Sequence, residues 1–193
     1  MNNSLKIIAV GALSMFVTSA AIAGGAIGVT VSAASLDANG YEQMKSSGNR
    51  TTHGASEDVT IGSLFVENTN DDHGVTIGLD FIPYSAEVGS GSNTDDDDNE
   101  TSGTNTVTVD FKNHFTLYFE KTIGDFGLYL KGGLVQVTVA TADNLSTGAS
   151  YGDEKMSGLL AGLGVKRDLS DSLFFKIAAE TTVYDGATFK SSG

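Results

Sequence analysis

The chain has no cysteine, no tryptophan and a single proline among its 193 residues. Without cysteine there is no disulfide framework, no thiolate zinc site and no cysteine nucleophile. Cationic residues are also scarce. Lys and Arg number 11 against 24 Asp and Glu, a formal charge of −13, which speaks against a nucleic-acid partner because little is present to neutralise a phosphate backbone. Downstream of the first thirty residues no stretch holds eighteen consecutive apolar positions, so no helix of that kind spans a bilayer. A 40% hydrophobic content argues against a chain disordered by composition, and the length allows one domain. What is plentiful is glycine, 24 residues, together with Thr, Val, Asp and Ser, a balance that leans towards strands and loops.

Residues 1–23 read as a secretory signal peptide. A short n-region from Met1 to Lys6 precedes the apolar stretch Ile7 to Ala20, and Ala21-Ile22-Ala23 supplies the small-x-small pattern of a cleavage site. Gly24-Gly25 would stop any helix that tried to continue. Cleavage after Ala23 leaves a chain beginning at Gly24, and export without cysteine fits a bacterial envelope protein.

The remainder alternates with period two. In 106–119 the residues Val107, Val109, Phe111, Phe115, Leu117 and Phe119 share one face, with Asn113 as its only polar member. Thr106, Thr108, Asp110, Lys112, His114, Thr116 and Tyr118 share the other. Strand side chains point alternately to opposite faces, so this is a strand with one apolar and one polar side. Segments 75–84 and 173–184 repeat the pattern, and weaker versions lie at 26–36, 58–66, 126–140 and 156–167. In 126–140 the alternation changes phase after Gly132-Gly133, which predicts a bulge. Seven strands are thus predicted. Their connections alternate long and short: 37–57, 85–105 and 141–155 are long and polar, while 67–73, 120–125 and 168–172 are turn-like. Asp71-Asp72-His73 falls in one of the turns.

Alternation alone does not say which face is inside, since a soluble sandwich or barrel also alternates. Two features favour an apolar exterior. Glycines interrupt the predicted polar face at Gly62, Gly78, Gly127, Gly158, Gly162 and Gly164, which suits a narrow interior short of space. Aromatic residues gather near strand ends, among them Phe81, Tyr84, Phe119, Phe126, Tyr129 and Tyr184, as in interfacial girdles.

With its leader, its alternating strands, its connection rhythm and segments such as Tyr129-Leu130-Lys131-Gly132-Gly133 and Ala161-Gly162-Leu163-Gly164-Val165, the chain resembles the small outer-membrane β-barrels of Gram-negative bacteria, of the OmpA/OmpX type. The resemblance covers essentially all of 24–193 and rests on architecture rather than on catalytic motifs. It implies an all-β, antiparallel up-and-down transmembrane barrel of eight strands, with the N-terminus in the periplasm and long loops outside. The roles it implies range from structural anchoring to adhesion. Outer-membrane lipids are the expected surroundings, surface ligands through the three long loops are the expected partners, and a monomer is expected. One departure stands out: such chains end in a strand closing on an aromatic residue, whereas this one ends Lys190-Ser191-Ser192-Gly193. Because single-chain barrels close with an even number of strands, seven strands predict a missing eighth, about twenty further residues, and an open seam between 26–36 and 173–185.

Several residues are candidates for a site. The acidic run Asp95 to Glu100 has oxygen ligands for Ca²⁺ but lacks the spacing and central glycine of a calcium loop, and reads as a solvated loop tip. His114 and Thr116, with Glu120 beyond them, place a base near a hydroxyl on one strand face, the pair a lipid A-modifying barrel hydrolase would need. The fuller pattern is an interior charge network of Asp80, Asp110, Lys112, His114, Lys131 and Glu180, all at similar height in the lumen, where charges are costly unless paired. That reading makes the lumen a structural plug and calls for no cofactor, metal or catalysis; a narrow gated pore and the His114/Thr116 hydrolase are the alternatives.

Overall fold

A computed structural model describes residues 2–22, 24–43, 50–95, 103–144 and 150–192. Among them the chain is all-β. Its strands are β1 (Asn2–Ile22), β2 (Gly25–Gln43), β3 (Arg50–Asn70), β4 (Val75–Phe81), β5 (Ala86–Asp95), β6 (Gly103–Ile123), β7 (Leu128–Asn144), β8 (Ser150–Tyr151), β9 (Glu154–Ser170), β10 (Leu173–Tyr184) and β11 (Ala187–Ser192). Seven up-and-down walls, each antiparallel to the next, form one curled sheet in the order β2–β3–β4–β6–β7–β9–β10, with β5 continuing along the upper part of β6. The tight turns 71–74, 124–127 and 171–172 gather at one end, the turn end. Gly127 belongs to the second of these with φ +68, not to a strand's polar face; an added Cβ there would run into the Lys166 carbonyl oxygen.

The seam predicted between 26–36 and 173–185 exists, in that β2 and β10 do not pair with each other, but it is not open. β1 lies in it. Its backbone pairs with β2 along its whole length and with β10 from Ile8↔Val183 to Val17↔Phe175. The physical reason is general: two free strand edges present rows of unpaired N–H and C=O groups, and an extended segment between them satisfies both. Sequence reasoning assigned residues 2–22 to a leader and so left the edges bare.

The strands also run further than predicted. β3 and β6 have 21 residues each and β2 has 19, so much of what reads as long loop in 37–57 and 85–105 is a continuation of the sheet. Polar, glycine-rich strands lack the apolar alternation that marks a strand in sequence.

Polarity reverses along the barrel. In the half nearer the turns, large apolar residues face outward and are exposed: Ile27, Val29 and Val31 on β2, Leu64 and Val66 on β3, Ile77, Leu79 and Phe81 on β4, with their counterparts on β6, β7, β9 and β10. In the other half the apolar residues turn inward. Leu36, Phe111, Val135, Val137, Val139, Met156 and Tyr184 form a closed internal cluster, while Gln136 and Ser157 on the outside are polar and exposed. On β6 the switch is made by the backbone. Asn113 has φ 52 and the β6–β7 register slips between Lys112 and Phe115, so Phe115, Leu117 and Phe119 point out but Phe111 points in. This bulge accounts for the polar Asn113 on an otherwise apolar face. On β7 the strand keeps its phase and the sequence pattern does the switching, so the predicted bulge at Gly132-Gly133 is absent: Leu128, Leu130 and Leu134 are outside and Val135, Val137 and Val139 inside, with no slip in the β7–β9 ladder.

Candidate functional site in the barrel interior

The inner face nearest the turns carries Glu67 from β3, Glu120 from β6 and Lys176 from β10. Lys176 Nζ donates to Glu67 Oε2 at 2.7 Å and to Glu120 Oε2 at 2.6 Å. Its side chain is 1% exposed. Tyr118 adds a hydroxyl hydrogen bond to Glu67 Oε2 at 2.7 Å, while Glu67 Oε1 and Glu120 Oε1 have no protein partner among the described residues. One level higher, Lys131 Nζ meets Glu180 Oε1 at 2.7 Å and sits 4.3 Å from the centroid of the Tyr118 ring. Asp80 Oδ2 accepts from Ser63 Oγ at 2.7 Å and from Thr30 Oγ1 at 3.4 Å.

Glycine makes this packing possible. A Cβ at Gly78 would lie too close to Cζ of Tyr118, and one at Gly164 2.5 Å from Cζ of Tyr129, clashing with each phenol. Gly162 leaves room for Glu180, whose Cγ would be 2.9 Å from an added Cβ. Gly62, by contrast, shares the outer face with Leu64 and Val66.

Of the six residues expected to share an interior network, Lys131 and Glu180 are paired, and Asp80 and His114 line a common cavity with them. Asp110 and Lys112 are not part of it. The Asn113 bulge turns Phe111, 6% exposed, into the lumen in their place. A period-two count through a bulge puts every residue beyond it on the wrong face. Sequence reasoning also missed Glu67 and Lys176. Glu67 lies just past the predicted end of strand 58–66, although it follows Phe65 on the same face. Lys176 lies on the predicted polar face of 173–184, where its charge is the signal that points to it.

Above the ion pairs lies a cavity of about 110 Å³. Asp80, Lys131, Glu180, His114 and Thr116 contribute its polar wall, and Leu36, Ile61, Ile82 and Leu160 its apolar wall. His114 Nε2 is 3.1 Å from the Tyr184 hydroxyl, and its Nδ1 has no partner among the described residues. The hydroxyl that His114 engages is therefore that of Tyr184 rather than Thr116. The inward cluster of Phe111, Val137, Met156 and Tyr184 closes the lumen beyond the cavity. Residues 96–100 of the acidic run lie outside the described residues. Among the described residues no group of three His, Asp or Glu side chains is placed to hold a metal ion.

Comparison with models of known protein families finds no match for this chain, and comparison with curated proteins finds none either.

Proposed function

We propose that this chain is an outer-membrane β-barrel of the small OmpA/OmpX-like kind, exported by a leader cleaved after Ala23 and working as an envelope component or through its loop end, without catalysis. The observation that carries the reading is the inverted half of the barrel. Fully buried Lys176 bridges Glu67 and Glu120 at its centre, while Ile77, Leu130, Leu159 and Leu163 are exposed outside. In water that arrangement is unfavourable because a broad apolar surface stays wet, and the interior that would otherwise take up apolar side chains is filled by ion pairs, whose desolvation cost is the same in either surrounding. In a bilayer the exterior meets lipid, where a strand wall is stable only with its edges paired, the place β1 fills between β2 and β10. The band from Phe115 to Ile123 on β6 has the length of the roughly 9–11 residues a tilted strand needs to cross, while on β7 the band from Leu128 to Leu134 is shorter.

The reversed upper half supports the same placement. It has the polar exterior and apolar interior of a soluble barrel and would stand in water outside the membrane, presenting the loops on a rigid collar. Cleavage after Ala23 would uncover the β2 and β10 edges, so on this reading the exported barrel needs another strand in the place of β1. The test is electrophoresis in SDS with and without boiling, paired with flotation on lipid vesicles. A folded barrel migrates differently from its heated form and floats with the vesicles. A single heat-insensitive band from a protein that stays in the aqueous fraction would remove the membrane assignment.

A further inference from the structure

The barrel wall is interrupted on one side above the apolar band. β3 and β4 pair from Asn70↔Val75 up to Leu64↔Phe81, and there the ladder stops. Pro83 follows two residues later, and with no N–H and a fixed φ it cannot carry the ladder on. Beyond it β5 pairs with β6, while β3 continues to Arg50 against β2; among the described residues no ladder joins β5 to β3. On the β6 side the wall stays sealed, since Ile82 N donates to the His114 carbonyl at 3.0 Å. At the foot of the gap the Gly62 N–H donates to the Tyr84 hydroxyl rather than to a backbone carbonyl. β3 and β5 stay close to each other across the missing ladder, so the gap is an unpaired seam that serves as a side port only when the two strands part, and its sill, Leu64 and Phe81, is also the upper edge of the apolar band.

The interior cavity lies directly behind that sill. Ile61 and Ser63 from β3, Asp80 from β4 and Ile82 just after it line the cavity. The cavity has two characters. Leu36, Ile61, Ile82 and Leu160 offer an apolar wall, while Asp80 and Glu180 set two carboxylates against the single ammonium of Lys131. We propose that port and cavity together form a binding site for a small cationic amphiphile, a short alkyl- or arylamine, admitted at the outer edge of the membrane.

The size follows from the volume. A dry protein cavity of about 150 Å³ takes benzene, so about 110 Å³ admits a short chain, or a ring that stays partly in the opening, and no acyl lipid. The charge follows from the count of ionisable groups, because two carboxylates facing one ammonium leave a carboxyl that either takes up a proton or pairs with a cation, and a cationic ligand supplies the second. An anionic ligand would add to the excess. His114 Nδ1, without a protein partner among the described residues, offers the ligand one further hydrogen-bonding atom. The site stands on the interior geometry; only the route in rests on the membrane reading.

The test is methyl NMR on the full chain folded in detergent, following Ile61, Ile82 and Leu160 during titration with benzylamine, toluene and benzoate. Benzylamine should give saturable shifts at these three residues and benzoate none. Asp80→Asn should weaken benzylamine about tenfold and bring it level with toluene, and Leu160→Trp, which fills the cavity, should abolish the shifts. No saturable shift with benzylamine, equal affinity for benzylamine and toluene in the unmodified chain, or full binding in a folded Leu160→Trp variant would each overturn the site. The same sample is checked for vesicle flotation. Binding without flotation keeps the site and removes the membrane reading, whereas flotation without binding removes the site alone.

Discussion

At the scale of single residues, the lumen is organised around two lysines, each committed to carboxylates on other strands. Lys176 bridges Glu67 and Glu120 from nearly complete burial. Its replacement by Met should destabilise the barrel by about 3–5 kcal/mol, because two carboxylates are then left without a cation. Adding Glu67→Gln and Glu120→Gln to Lys176→Met should recover a large part of that loss, since the residual charge goes with them. Urea unfolding in detergent micelles, read by loss of strand signal, measures both. Losses that simply add would show that the three side chains act separately. Space is as tightly allotted as charge. Gly78 lies under the Tyr118 ring and Gly164 under the Tyr129 ring, so Gly78→Ala should cost about 1–3 kcal/mol through overpacking. In a Tyr118→Ala background the same change should be close to neutral, which a double-mutant cycle on the unfolding midpoints will show.

At the scale of strands, the governing feature is the reversal of inside and outside at one level of the barrel. A single left-handed residue, Asn113, turns β6 from an apolar-outside pattern to an apolar-inside one, and β7 reaches the same end by changing its sequence pattern without any slip. Two strands meeting the same boundary by different means is what the proposed membrane edge would require of them. Arginine at the outward positions Leu79 or Phe115 should therefore cost roughly 2–4 kcal/mol in a bilayer unfolding titration, whereas Gln136→Arg, above the boundary, should be nearly neutral. Because the chain has no cysteine, single cysteines at Leu134 and Gln136 give an independent check. A membrane-impermeant maleimide should label the second and spare the first in vesicle-inserted protein. Equal labelling would contradict the placement of the boundary.

At the scale of the whole molecule, closure depends on the strand between β2 and β10. Residues 2–22 fill that place by backbone pairing on both sides. A chain comprising 24–193 alone would leave both edges unpaired, which is unfavourable in lipid. It should lose the heat-modifiable compact band that the 193-residue chain is expected to give, and should associate into higher species through its edges. Electrophoresis of the two chains, refolded side by side in the same detergent, decides it. A compact, heat-modifiable monomer from 24–193 would mean that β2 and β10 can close on each other.

The sequence by itself determined that the protein is built from antiparallel strands with one apolar and one polar face. Alternation such as Leu173, Phe175 and Ile177 against Lys176 and Glu180 follows from a local backbone geometry that every strand shares. It also located the tight turns, whose residues carry their own conformational preferences, and it identified Lys131 and Glu180 as interior charges. Tertiary structure decided what depends on neighbours that sequence distance conceals. The bulge at Asn113 exchanged Asp110 and Lys112 for Phe111 in the lumen, because one extra residue reverses every side chain beyond it. The partnership of Glu67 with Lys176 joins residues 109 positions apart and depends on the register of the strands between them. The occupant of the seam was settled by the need of two free edges for hydrogen-bond partners, a demand the closing sheet imposes and the alternation pattern does not encode.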